Sequence, residues 1–285
     1  MIYLSHFDFP GQEQEESWHM EIKRTCYDSF YPFYVLTKCS LQMLDFEPVT
    51  ILYGGNGSGK STVLNVIAEK LHLKRDTLYN RSNFFEDYTR LCRYEKEKPI
   101  PDHSRIITSD DVFDFMLTLR GINEGVDLRR EELLDEYLEG KYTHFQMKSL
   151  DDYDRLKKVN ASRTKTQSKY VRQFLQNNLR EHSNGESALM YFEERMQDGG
   201  LYLLDEPENS LSPERQMELK SFLEVSALSC GCQLVIATHS PFLLSLRNAK
   251  IYDLDENPAD VKRWTELPNV RKYFEFFEEH RGEFL

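Results

Sequence analysis

The sequence predicts an α/β protein: a mostly parallel core sheet, an N-terminal antiparallel β layer and an inserted helical subdomain. Three observations carry this expectation. A glycine-rich loop, Gly54–Thr62, lies between the β-branched, apolar run Val49–Tyr53 and a helical pattern in Val63, Ile67 and Leu71. A second apolar run, Leu201–Leu204, ends in Asp205-Glu206. A third, Gln233–Ala237, ends in Thr238-His239. Apolar runs that end abruptly in polar groups read as buried parallel strands, which present ligand-binding residues at their C-terminal ends.

Gly54-Gly55-Asn56-Gly57-Ser58-Gly59-Lys60-Ser61-Thr62 fits G-x-x-x-x-G-K-[ST] without a mismatch, in the strand–loop–helix context that motif requires. Glycines at 54, 57 and 59 let successive N–H groups turn inward toward phosphate oxygens. The helix that follows adds the positive end of its dipole. Lys60 is placed to bridge the β- and γ-phosphates, and the Ser61 hydroxyl to ligate Mg²⁺. A nucleoside triphosphate is the expected ligand, bound by Gly54, Asn56, Gly57, Ser58, Gly59, Lys60, Ser61 and Thr62.

Residues 1–53 read as strands: Ile2–Leu4, Met20–Lys23 and the aromatic stretch Phe30–Leu36. Phe33 and Tyr34 have two readings, a base-stacking platform or core side chains. Arg105–Thr108 reads as a short strand running into Ser109-Asp110-Asp111. That triplet either caps a helix through Phe115–Leu117 or places Ser109 and Asp110 near Mg²⁺ and the γ-phosphate. An acidic helical stretch, Leu128–Leu138, gives way to a basic one. Between Arg155 and Arg180 lie Lys157, Lys158, Arg163, Lys165, Lys169 and Arg172, with no acidic residue. This stretch is open to three readings: a nucleic-acid contact, an acidic partner, or a solvated face that offsets its acidic neighbours.

Asp205, at the end of the second apolar run, can hold Mg²⁺ directly or through its water, and Glu206 can orient or deprotonate the attacking water. His239, ending the third run, can hydrogen-bond the γ-phosphate. Ser183-Asn184-Gly185-Glu186 reads as a turn opening a helix, a second anion-binding geometry. Residues 250–255 suggest one more strand. Val270–Leu285, with Tyr273, Phe274, Phe276 and Phe277, suggests a helix whose aromatics cover either the core or a partner.

Composition limits the remaining choices. The 285 residues are 40% hydrophobic and 29% charged, as in a soluble globular chain, with a net charge of -12. That charge disfavours a generally nucleic-acid-coated surface. No apolar run approaches the roughly 18 residues of a membrane span, and the N-terminus lacks a signal-peptide pattern. A cytoplasmic location is the expectation. Five cysteines, unevenly spaced, do not form a disulfide framework.

Taken together and in this order, the motifs resemble an ABC-type ATPase domain within the P-loop NTPase fold. Gly54–Thr62 matches its Walker A motif, Leu201–Glu206 its Walker B with the catalytic glutamate, Asn209–Pro213 its D-loop and His239 its switch histidine. Ser183–Glu186 is similar to the family signature Ser-Gly-Gly-Gln, with Asn184 and Glu186 as departures. No Q-loop glutamine is evident; Ser109-Asp110 stand near its place. The runs Leu-Asp-Glu-Pro-Glu-Asn-Ser-Leu-Ser-Pro and Ala-Thr-His-Ser-Pro resemble soluble "AAA family" ATPases akin to the RecF and SMC group. The resemblance implies residues 1–71 and 196–285 as the nucleotide-binding core and 72–195 as a helical subdomain. It also implies ATP and Mg²⁺, and catalysis by Lys60, Glu206 and His239. Ser183, Gly185 and Glu186 would act in a head-to-tail homodimer, closed by ATP and read by a separate effector, in DNA repair or antiphage defence. Two alternatives are the ATPase subunit of a membrane transporter and a sensing module that binds ATP without efficient hydrolysis. The intact Glu206 argues against the second.

Overall fold

A computed structural model describes residues 1–22, 27, 29–142, 153–175 and 184–284. The chain divides into two compact units, one of residues 1–113 and 184–285, the other of residues 114–183. The helical insertion is thus shorter than the expected 72–195. Residues 72–113 and 184–195 belong to the first unit, because they contain strands of its sheets and a helix packed within it.

The first unit opens with β1 (Leu4–Asp8) and α1 (Gln12–Glu21), followed by β2 (Met43–Asp45), β3 (Val49–Tyr53) and α2 (Lys60–Lys70). Next come α3 (Phe85–Leu91), β4 (Arg93–Lys96), β5 (Arg105–Thr108) and the start of α4 (Ser109–Tyr142). In the second unit α4 continues, followed by α5 (Tyr153–Thr164) and α6 (Gln167–Phe174). The first unit resumes with α7 (Asn184–Arg195), β6 (Leu201–Asp205), α8 (Pro213–Leu228) and β7 (Gln233–Ala237). It closes with α9 (Pro241–Leu244), β8 (Lys250–Asp253), β9 (Asp260–Lys262) and α10 (Pro268–Glu279).

Two sheets result. A three-stranded antiparallel sheet has the order β2-β1-β4, and a six-stranded sheet has the order β5-β6-β7-β3-β8-β9. All pairings in the larger sheet are parallel except β8–β9. The central strands β3, β6 and β7 are buried along nearly their whole length, which is why they read as continuous apolar runs rather than alternating ones. Gln233, fully buried at the start of β7, joins the two sheets. Its Oε1 accepts the N–H groups of Tyr3 and Leu4 at 2.8 and 2.9 Å, and its Nε2 donates to the Leu4 carbonyl at 2.7 Å. The amide thus satisfies backbone groups that burial would otherwise leave unpaired.

The N-terminal segment departs from the expected strands. Met20 lies in α1, and Lys23 is outside the described residues. Phe30–Leu36 forms turns leading into a 3-10 helix at Leu36–Cys39. Pro32 offers no N–H to a ladder, and Tyr34 has φ 62°, which a strand does not accommodate. The aromatics serve the core: Phe33 is buried and stacks on Trp18 at 3.7 Å between ring centroids. The strand expected at residues 250–255 is present as β8, and Val270–Leu285 includes most of α10.

In the second unit, Leu133, Tyr137, Tyr170 and Val171 form a small core. A Cβ on Gly140 would stand 2.6 Å from Ser162 Oγ, so α4 and α5 approach closely there. Of the basic residues, Lys158 bonds Glu136 at 2.8 Å; Lys157, Lys165, Lys169 and Arg172 are exposed, and Arg180 lies outside the described residues.

Glu15 on α1 is fully buried and accepts the Tyr34 N–H and the Thr37 hydroxyl, both at 3.1 Å. Burial pushes its carboxyl up to about 7, against the opposing pull of those two hydrogen bonds. Between pH 4.5 and about 7 the folded chain therefore binds this proton more tightly than the unfolded chain. Its contribution to stability falls as pH rises through that window. Chemical denaturation of Glu15→Gln, neutral throughout, is expected to show a gain over wild type of roughly 3 kcal/mol near pH 8 that disappears near pH 4.5. An offset independent of pH would contradict it.

Candidate functional site

The parallel register brings the site together. Leu52 on β3 stands beside Ala237 on β7, and Ala237 beside Asp205 on β6. Thr108 on β5 stands opposite Asp205 on its other side. The glycine loop after β3, the carboxylates after β6 and the histidine segment after β7 therefore leave the sheet at one edge.

In the loop, Gly57 and Gly59 have φ of 83° and 96°, the left-handed region that suits glycine. Gly59 is also the N-cap of α2. A Cβ at Gly54 would meet Ser58 Oγ at 2.5 Å. Lys60 is buried, and its Nζ donates to the carbonyls of Gly54 and Gly55 at 2.8 and 3.0 Å. Asn56 to Thr62 line a cavity of about 550 Å³ with Val35, Ser109, Asp110, Asp205 and Glu206. Ser58 Oγ is buried there without a hydrogen-bond partner. An ammonium group and a helix N-terminus lining one cavity form a site arranged for an anion.

Ser61 Oγ donates to Asp205 Oδ1 at 3.1 Å. Burial raises the Asp205 carboxyl to about 6, with Glu206 adding to the rise while the Ser61 bond and Lys60 oppose it. A half-buried carboxylate next to a hydroxyl supplies the oxygen donors that Mg²⁺ prefers, and the cation would favour the charged carboxylate. The residues present fit such an ion.

Glu206 has φ 48°, an uncommon conformation for a non-glycine residue. It is held on both ends: its N–H donates to the Ala237 carbonyl at 2.9 Å, and its Oε2 accepts from Asn209 Nδ2 at 3.0 Å. Its Oε1 lies 4.0 Å from Lys60 Nζ and 3.8 Å from His239 Nδ1. Lys60, Ser61, Asp205, Glu206 and His239 are thus brought together. His239 is about half exposed and lines a neighbouring apolar groove rather than the phosphate cavity.

The other expected residues have different surroundings. Thr108 caps α4: its Oγ1 accepts the Asp111 N–H at 3.4 Å, and Asp111 Oδ2 accepts the Thr108 N–H at 2.6 Å. This reciprocal cap leaves Ser109 and Asp110 free to line the cavity. Phe33 is core, and the Tyr34 backbone is tied to Glu15; Val35, one residue on, lines the cavity instead. Glu186 pairs with Arg215 on α8 at 2.9 Å. Gly185 lies in the first turn of α7, and Ser183 lies outside the described residues.

Glu208 is a participant that the sequence reading did not assign. It is buried, and its Oε1 accepts from Thr238 Oγ1 at 2.5 Å, His239 N at 3.1 Å and Ser240 N at 3.2 Å. One carboxylate oxygen thus holds the segment bearing His239 against the turn bearing Glu206. Its place in the Asp-Glu-Pro-Glu run was the only sequence signal. Glu208→Ala removes the acceptor of the His239 N–H and the Thr238 hydroxyl and one of the two acceptors of the Ser240 N–H, which keeps Thr238 Oγ1 at 3.0 Å. It is expected to cost about 2–4 kcal/mol by chemical denaturation, beyond any effect of Glu208→Gln. Equal stability of Glu208→Ala and wild type would contradict this role.

Solved structures similar to this chain include the Smc head domain of Pyrococcus furiosus bound to the C-terminal domain of ScpA. The identity is 13%, with 99% of this chain and 100% of that chain covered and a TM-score of 0.43. The SMC head domain from Thermotoga maritima is 13% identical, covering 92% and 99%, with a TM-score of 0.42. A dimeric ATP-binding cassette in a post-hydrolysis state with ADP and Pi is 14% identical, covering 79% and 90%, with a TM-score of 0.38. No curated protein matches. A family model described as "AAA domain, putative AbiEii toxin, Type IV TA system" matches residues 69–245. The match begins after the phosphate loop, so the two lines of observation do not overlap there. It spans more than half of the sequence, and the chain belongs to this AAA-domain family.

Proposed function

We propose that the chain binds and hydrolyses Mg-ATP at a site completed by a second copy, as a conformational switch read by a separate effector in antiphage defence. The observation that carries this reading is the convergence of Lys60, Ser61, Asp205 and Glu206 on one cavity whose Ser58 hydroxyl lacks a partner. The loop N–H groups and the α2 N-terminus receive the phosphates, and Lys60 turns toward the β- and γ-phosphate oxygens. Ser61 and Asp205 would hold Mg²⁺, which when bound neutralises charge on the transferring phosphoryl group. Glu206, held by Asn209, orients or deprotonates the attacking water, and His239 interacts with the γ-phosphate.

The second copy enters because the sequence pattern of Ser183–Glu186 supports a second anion-binding segment, with Gly185 and Glu186 in the first turn of α7. In the proposal, Ser183, Gly185 and Glu186 of one copy close over the γ-phosphate held by the other. Glu186 would then exchange its pairing with Arg215. Contacts to the γ-phosphate favour the closed state, and hydrolysis removes them. The family description, with its toxin of a type IV toxin–antitoxin system, supports defence over DNA repair as the setting. The exposed Lys157 on α5, Lys165 between the helices, and Lys169 and Arg172 on α6 support nucleic acid as something the switch contacts.

Calorimetry with Mg-ATP is expected to show binding by wild type and its loss, by at least about tenfold, in Lys60→Ala. Unchanged affinity would overturn the phosphate-loop reading. Glu206→Gln is expected to retain binding while phosphate release falls on the order of a hundredfold or more. Wild-type turnover in that variant would remove Glu206 from the chemistry.

A further inference from the structure

The Gly54–Gly55 peptide is held from both sides. On one side, the Gly54 carbonyl accepts from Lys60 Nζ at 2.8 Å. On the other, the Gly55 N–H donates to both carboxylate oxygens of Asp255, at 3.0 and 2.9 Å. The Gly54 carbonyl and the Gly55 N–H belong to one planar trans peptide and point in opposite directions. Fixing the N–H outward therefore fixes the carbonyl toward Lys60. Two adjacent glycines have no side chain to resist a flip of this peptide. The restraint comes from outside the loop, two hundred positions along the chain.

Asp255 is itself well placed. Its N–H donates to Asp253 Oδ1 at 3.1 Å, and the Asp253 side chain is buried and paired with Lys262 of β9 at 2.9 Å. The Leu254 N–H donates to the Tyr53 carbonyl at 2.9 Å, which binds the segment to the end of β3 just before the loop. The segment after β8 is thus positioned against the loop by both backbone and side chain.

We propose that Asp255 is a positioning residue for the triphosphate site, orienting the Gly54–Gly55 peptide so that its carbonyl keeps the Lys60 ammonium over the phosphate loop. This rests on the Mg-ATP reading above. It also makes a claim about sign. A carboxylate beside an anion site repels phosphate by its charge, so a mere neighbour would weaken binding and its removal would tighten it. A positioning residue works the other way.

The test compares full-length wild type, Asp255→Ala and Asp255→Asn by Mg-ATP calorimetry and by KM and kcat for phosphate release, with thermal unfolding to confirm folding. Asp255→Ala is expected to raise Kd and KM about tenfold. Asp255→Asn keeps one carbonyl oxygen for the Gly55 N–H and is expected to stay within about threefold of wild type, the difference being one hydrogen bond of the pair. If both variants bind Mg-ATP as well as or better than wild type, Asp255 is only a nearby charge and the proposal is overturned. If Asp255→Asn is as impaired as Asp255→Ala, peptide orientation by an acceptor is equally overturned. A wild type that does not bind Mg-ATP would sink the underlying site reading as well, whereas failure confined to the variants leaves that reading intact.

Discussion

The parallel register of β3, β7 and β6 is the constraint on which the rest depends. Backbone hydrogen bonds place Leu52 beside Ala237 and Ala237 beside Asp205. A slip of one residue in any of these ladders would move a strand end by about 3.3 Å and turn its side chains to the opposite face. The Ser61–Asp205 bond of 3.1 Å would not survive such a change. The buried side chains of these strands hold the register, and the loops can then be polar, glycine-rich and locally strained. Strain at Glu206 is tolerated because its N–H and its carboxylate are both held.

Buried polar side chains do a second kind of work. Gln233 joins the antiparallel sheet to the parallel one, and Glu208 joins the turn after β6 to the segment after β7. Asp255 does the same between the segment after β8 and the phosphate loop. Each accepts backbone N–H from a segment other than its own. Such contacts fix relative positions that apolar packing alone leaves adjustable. They explain how a glycine-rich loop keeps a defined shape.

Much of the site was legible from local pattern. Val49–Thr62 and Leu201–Glu206 each encode a buried strand and its functional terminus within a dozen or so residues, so their structure needs little information from elsewhere. The N-terminal segment was not legible. Phe30–Leu36 has strand-like composition, but its conformation follows from Pro32, the positive φ of Tyr34 and the distant partners Glu15 and Trp18. α1 was missed because its sequence is largely polar and presents only Glu15 and Trp18 inward. The roles of Val35, Glu208 and Asp255 depend on contacts made in three dimensions, which no spacing rule reports. Tyr273, Phe274, Phe276 and Phe277 were recognised as a helix, and all four are exposed on α10.

The central claim is that the γ-phosphate joins two copies of the chain. The most direct measurement is the solution mass of Glu206→Gln by light scattering, with and without Mg-ATP. The account predicts a monomer without nucleotide and a dimer with it, reverting to monomer when ADP replaces ATP. A mass unchanged by Mg-ATP, in protein shown by calorimetry to have bound it, would contradict the shared site.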